Sequence, residues 1–347
     1  MNKNRGINMK TKQVSIRLFP LIIIILVIIA IIITAIVVLN KAGNEKKDEI
    51  IHQYAGSGTV DDPYRIEKVE DFIKLLRNIV NGTTYKDTYF KLINRLDFQD
   101  DSSYLDINDT TYGDLNADGN IDGIKLELTT GNGFYGVIDE ESSSFEGIFN
   151  GDNKTITNLI MNIPEGNTKT NIGLFENNKG TISNLRIIGN ITTTNEYIEN
   201  INMNIGMLAS RNEGTIQSCR IEGNIKVLEN AENANILIGG IVGENVGTIL
   251  DSSSSVNIES NCQKAGITAR NTVDSNISNS GVITNCSNNG EIKETSNSNN
   301  YTAGIVAENN GVLTSCTNNG KVEAKIAGRN CMFFIWKYSF LSKHSKS

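Results

Sequence analysis

Five full segments of this chain and a sixth, partial one repeat a single pattern. They read GLFENNKGTISNLRIIGNI from Gly173, GMLASRNEGTIQSCRIEGNI from Gly206 and GIVGENVGTILDSSSSVNI from Gly240. GITARNTVDSNISNSGVITNCSNNGEI from Gly266 and GIVAENNGVLTSCTNNGKV from Gly304 follow, and the partial version, GIFNGDNKTITNLIMNI, starts at Gly147. The inner glycines Gly180, Gly214, Gly247, Gly281 and Gly311 are spaced by 34, 33, 34 and 30 residues. A near-constant step in this range marks a stacked repeat architecture.

The chemistry of one unit selects the kind of stack. Each unit holds short β-prone runs, and none has the 3.6-residue period of a helix. Gly, Asn and Ser cluster between the runs, where corners need positive φ or Asx hydrogen bonds. Runs of this length flanked by turn formers read as strands. Three strands per unit predict one coil of a parallel β-helix. Coils then stack at about 4.8 Å, and none buries its apolar side alone.

Equivalent positions form columns in such a fold. Two residues beyond the inner glycine stand Ile182, Ile216, Ile249, Ile283 and Leu313, with Ile156 assigned to the partial coil. Five beyond it stand Leu185, Cys219, Ser252, Cys286 and Cys316, with Leu159 below them. The cysteines therefore read as small buried hydrophobes. A Cys286–Cys316 disulfide is the alternative, because adjacent coils bring Cα atoms within bridging range. With only three of five cysteines in the column, no disulfide framework is implied.

Taken from its start, the chain opens with residues 1–17, which carry five basic residues and no acid. Leu18 to Leu39 follows without a charge, long enough to span a bilayer as a helix. A secretory leader would be shorter and would end in a small-residue cleavage site. Residues 18–39 are thus expected to be an uncleaved single-pass anchor in the cell membrane, with the basic flank inside and everything after Asn40 outside. Residues 40–55 form a polar tether. Residues 56–146 should build an N-terminal cap and first strands: Val69, Phe72, Ile73, Leu76 and Val80 have helical spacing, ended by Asn81-Gly82. A helix there would cover the unpaired edge of the first coil. Residues 147–326 are the repeats, and 327–347 a tail of different composition. The expected whole is an all-β parallel β-helix with a capping helix, preceded by one transmembrane helix.

GSGTVDDPYRIEKVEDFIKLL, TYFKLINRLDF and FEGIFNGDNKTITNLIMN, with the later G-x-x-x-x-N-x-G-x-I units, resemble bacterial surface proteins with GLUG-type repeats. The resemblance covers residues 56–326. It implies a right-handed β-helix on the surface of a Gram-positive-like bacterium. Asn94-Arg95-Leu96-Asp97 and Asn150 depart from the usual pattern. Some such proteins are IgA-specific metallopeptidases with an H-E-x-x-H zinc motif. That motif does not occur here, so the activity is not carried over.

Chemistry-bearing motifs are sparse. The two histidines, His52 and His344, lie outside the repeats, which leaves no base for a nucleophile triad. No phosphate-cradling G-x-x-x-x-G-K-[ST] occurs. Net charge −7 without a basic stripe argues against nucleic acid. One stretch, GDLNADGNIDGIKLEL at 113–128, suits calcium. Asp114, Asn116, Asp118, Asn120 and Asp122 occupy loop positions 1, 3, 5, 7 and 9, with Gly119 at the sharp turn. It resembles a dockerin-type loop but has Lys125 where the bidentate acid belongs, and an Asx-rich turn is the competing reading. No cofactor is required.

The connections 192–205, 226–239, 259–265 and 293–303 vary in length and leave from one corner, which makes them the expected working face. The sequence therefore predicts a non-enzymatic surface binding or adhesion module with a glycan or protein ligand. A passive envelope spacer is the alternative, and a β-helix polysaccharide lyase or hydrolase a more distant one.

Overall fold

The computed structural model describes residues 54–80, 82–98, 144–163, 171–193, 202–227, 235–295, 299–328 and 330–334. All belong to one compact unit, Tyr54–Ser347. The expected anchor at 18–39 and nearly all of the tether lie outside the described residues. Among those described, no helix is long and apolar enough to cross a membrane.

The architecture is a parallel β-helix, and every ladder between its strands runs parallel. Each coil has four strands, not the three expected. Face 1 carries Thr181–Ser183, Thr215–Gln217, Thr248–Leu250, Val282–Thr284 and Val312–Thr314. Face 2 carries the long strands Arg186–Thr193, Arg220–Val227 and Ser253–Ser260, continued by Ser287–Asn288 with Ile292–Glu294. Face 3 carries Asn202–Gly206, Asn235–Gly239, Gln263–Ala265 and Thr302–Ala303. Face 4 carries Phe175–Asn178, Ala209–Asn212, Val242–Asn245, Thr268–Asn271 and Val306–Asn309. Face 3 is the strand that sequence reading assigned to corner loops. Ala327–Gly328 and Cys331–Phe334 extend faces 3 and 4 beyond residue 326.

The inner column holds. Ile182, Ile216, Ile249 and Ile283 stack in register and are fully buried, and Leu313 continues the stack but is only half-buried. The partial coil, however, sits one strand away from its expected alignment. Phe149 lies beneath Ile182, whereas Ile156 lies beneath Ile187 and Leu159 opposite Gly189.

Two kinds of residue make the coils close. The corner between faces 1 and 2 is left-handed in every repeat: Asn184, Ser218, Asp251, Asn285 and Ser315 have φ of 53°, 54°, 50°, 54° and 53°. Asn and Asp tolerate that region because their side chains bond locally. The inner glycines serve another purpose, since of them only Gly281 has positive φ. A methyl group on Gly214 would overlap the Gly180 carbonyl oxygen, and one on Gly247 that of Gly214. They are glycines because successive coils approach there backbone to backbone.

A buried amide ladder runs up face 4. Asn178 donates to Asn212 at 2.7 Å, Asn212 to Asn245 at 2.8 Å, Asn245 to Asn271 at 2.7 Å and Asn271 to Asn309 at 2.7 Å. All five are 0–1% exposed. Each amide links one coil to the next, and four of the five also bond a nearby glycine carbonyl, as Asn245 does to Gly247 at 3.1 Å. The ladder shows that the regular glycine step conceals a compensation. Its members Asn245 and Asn271 are 26 residues apart, and Asn271 and Asn309 are 38 apart. The third coil is short at the corner between faces 2 and 3. The segment 272–281, inserted before face 1, restores the count.

At the N-terminal end, α1 (Val69–Val80) covers the first coil. Asp71 accepts from the backbone N–H of Glu67 and Lys68 at 3.0 and 3.2 Å, capping its start. Gly82, at φ 82°, ends it. Val69, Phe72, Ile73 and Leu76 are buried as their spacing predicts, and Leu75 and Ile79 join them. The Phe72 ring meets Phe149 at 5.8 Å and Phe175 at 6.3 Å, edge to face, so the helix closes the apolar interior with aromatic contacts.

Candidate functional site

Strand alternation decides what face 2 offers to solvent. Ile187, Ile191, Ile221, Ile225, Val256 and Ile258 point inward and are buried. The residues between them point outward in columns. Asn224 donates to Asn190 at 2.9 Å and Asn257 to Asn224 at 3.2 Å, forming an exposed amide ladder. Beside it, Lys226, Glu259, Lys293 and Glu323 stack in register with alternating charge. Arg186 clasps Glu222 of the next coil with two bonds, at 2.9 and 3.0 Å. Those bonds hold the Arg186 guanidinium above its ordinary range.

With Thr155–Ile163 below and Thr317–Asn318 and Val322–Glu323 above, six stacked levels at about 4.8 Å and eight residues at about 3.3 Å make this face roughly 24 by 26 Å. That is near 600 Å², below the roughly 800 Å² per partner of a standard protein interface. A face of that size and polarity has room for an extended polar chain laid across the coils. Among the outward residues named above there is no aromatic ring, so a ligand would be held by amides and paired charges.

Face 4 carries a second charge column. Arg211, Glu244, Arg270 and Glu308 stack in register, with Arg211 paired to Glu244 and Arg270 to Glu308 at 3.0 Å. The inner members of the two columns, Glu259 and Lys293 on face 2 and Glu244 and Arg270 on face 4, each have opposite charges above and below, which favours this register of the coils.

The expected corner is only partly assembled as predicted. Of its four segments, 202–206, 235–239, 263–265 and 302–303 are face 3 strands. Residues 194–201, 228–234 and 296–298 lie outside the described residues. Where the corner is described, Asn300 donates to the Asn261 carbonyl at 2.7 Å, and Tyr301 packs on Ala265, Ala303 and Ala307. The calcium candidates Asp114, Asn116, Asp118, Asn120 and Asp122 lie outside the described residues, as do both histidines. Among the described residues no group of three or more His, Cys, Asp or Glu side chains converges.

Sequence reading missed Lys264. It stands in register between Ile238 and Thr302, at an inward position, with no exposed surface. Its Nζ donates to the Cys262 carbonyl at 3.0 Å. Burial pulls its pKa down to about 8, against the raising effect of Glu294 and Cys262. The Thr302 hydroxyl of the next coil is buried without a hydrogen-bond partner. The alternation of Ile205 and Ile238 in the two preceding coils was the signal that could have placed Lys264 inside.

No family model matches the sequence, and no curated protein matches it. Among solved structures, the chain is similar to a "putative immunoglobulin A1 protease" from Bacteroides ovatus, at 16% identity and a TM-score of 0.39. The overlap covers 79% of this chain and 80% of that one. A likeness this loose fixes no chemistry.

Proposed function

We propose that this chain is a membrane-anchored, outward-facing β-helix that uses face 2 to hold an extended polar ligand, a glycan or matrix-protein segment, at the cell surface. The observation that carries the reading is the exposed Asn190–Asn224–Asn257 ladder beside stacked Lys and Glu columns on one rigid face. The charge-free run 18–39 and the basic flank before it support the anchor and its orientation. The test is a binding screen of the unit Tyr54–Ser347 against glycan and matrix-protein panels. A ligand retained by the parent and lost in Asn224→Ala with Lys226→Glu, at unchanged melting temperature, supports the reading. Retention by that variant places the site elsewhere.

A spacer role is favoured by one observation: the charges of faces 2 and 4 largely satisfy one another. Absence of any ligand across both panels would leave that reading standing.

A further inference from the structure

The Leu185–Cys219–Ser252–Cys286–Cys316 column contains one pair of cysteines on directly stacked coils. Thr284 pairs with Thr314 and Ser287 with Thr317, so Cys286 and Cys316 face each other across one coil step of about 4.8 Å. That step lies within the roughly 4.4–6.8 Å between Cα atoms that a disulfide spans. The contact is already made: the Cys286 backbone N–H donates to Cys316 Sγ at 3.4 Å. Ser252 occupies the same place one coil earlier, where its Oγ accepts from the Cys219 N–H at 3.1 Å. The position thus holds a side-chain acceptor for the N–H beside the left-handed corner. Cys219 and Cys286 are kept two coils apart by Ser252. Neither Cys286 nor Cys316 is in a disulfide.

We propose that Cys286 and Cys316 form a redox-modifiable pair that a small-molecule disulfide converts into a covalent staple between two adjacent coils near the C-terminal end of the β-helix. Access sets the order of events. Cys316 is half-buried, whereas Cys286 is 2% exposed. Cys316 thiolate attacks one sulfur of the oxidant, whose S–S bond breaks and releases a first thiolate. Cys286 then attacks Cys316 Sγ in the mixed disulfide and expels the second thiolate, which takes up the Cys286 proton. Two protein thiols are oxidised and one small disulfide is reduced to two thiols. The thiol acidities run the same way: the bond from the Cys286 thiol lowers Cys316, and that bond together with burial raises Cys286. The lower-pKa thiol is the one within reach of solvent, as the attacking partner must be.

The experiment treats the full chain in detergent with oxidised glutathione, quenches with acid, alkylates free thiols and digests with trypsin. Cys286 and Cys316 fall on separate tryptic peptides, 271–293 and 294–321. The expected product is these two peptides joined, two hydrogens lighter than their sum, and absent after reduction. Cys286→Ser should stop at glutathione on Cys316, and Cys316→Ser should leave Cys286 largely unmodified. Serine is native to this column at Ser252, so both variants keep the acceptor. Unchanged circular dichroism and melting of each variant before oxidation check that they fold. The proposal is overturned if the wild type carries glutathione on Cys316 with Cys286 still alkylatable, or if both thiols stay free. It is equally overturned if Cys316 links to Cys219, Cys262 or Cys331 as readily as to Cys286.

Discussion

Asn212 donates its side-chain amide to the Asn245 oxygen at 2.8 Å, one coil on, with neither side chain exposed. Each rung supports the next, because an amide that donates upward presents its own oxygen to the coil below. Asn245→Ala would leave the Asn271 oxygen without its donor, while the Gly247 carbonyl would keep only the Val282 N–H. At about 1–3 kcal/mol for the one orphaned buried group, with a smaller loss at Gly247, the cost should be roughly 2–3 kcal/mol. Asn257→Ala, in the exposed ladder of face 2, should cost about 0.5 kcal/mol or less. Urea unfolding of both variants checks the contrast.

Gly214→Ala and Gly82→Ala separate two reasons for glycine. The first places a methyl group against the Gly180 carbonyl, where only a shift of the coils could accommodate it. A cost of about 2 kcal/mol or more is expected, as for overpacking elsewhere. At Gly82 nothing lies within 4 Å of a new Cβ, but φ is 82°. That cost is conformational and should stay near 1 kcal/mol. Thermal melting of the two variants measures the difference.

Lys264 should make stability depend on alkaline pH. Its folded pKa is about 8, below the ordinary 10.5, so between those values the unfolded chain binds more protons than the folded one. Stability therefore rises as pH climbs through that window, by up to roughly 3 kcal/mol for this group alone. The penalty is fully present below about pH 8. Lys264→Ile, which supplies the residue found at Ile205 and Ile238, should raise stability near neutral pH. Subtracting the variant's pH profile from that of the parent isolates the effect.

Arg270→Glu would place three carboxylates in line, at 244, 270 and 308 on face 4. Like charges stacked at this separation should cost roughly 1–2 kcal/mol. Salt should recover part of that, and Arg270→Gln should cost less. Melting at low and high ionic strength tests both statements.

The repeat, the parallel stacking, the left-handed Asn and Ser corners and the Ile182–Ile216–Ile249–Ile283 column were legible because each rests on local backbone chemistry recurring at one period. Face 3 was not. Its strands, such as Asn202–Gly206 and Asn235–Gly239, end in glycine beside connections of varying length, which read as turn. Met203 with Ile205 and Ile236 with Ile238 carried the period-two signal. The partial coil was misaligned because Ile148-Phe149 and Thr155-Ile156 both offer an apolar residue after a Gly- or Asn-rich turn. Only pairing distinguishes them. The buried ladder was written as Asn, two residues before the inner glycine, at 178, 212, 245 and 309. Asparagine beside glycine more often signals a turn, which hid its inward orientation. Of the working face, the corner was legible as a place where length varies, whereas the face 2 columns emerge only from register between coils.

The coil dimensions carry a mechanical consequence. From Gly214 to Gly247 a coil uses 33 residues. Stacked, it occupies about 4.8 Å along the axis. Peeled away, the same residues reach roughly 110 Å. A chain held at one end and pulled at the other would then lengthen more than twentyfold for each coil it surrenders. A force-extension trace should show a sawtooth of separate increments on the order of that length, and a single all-or-none rupture would contradict it.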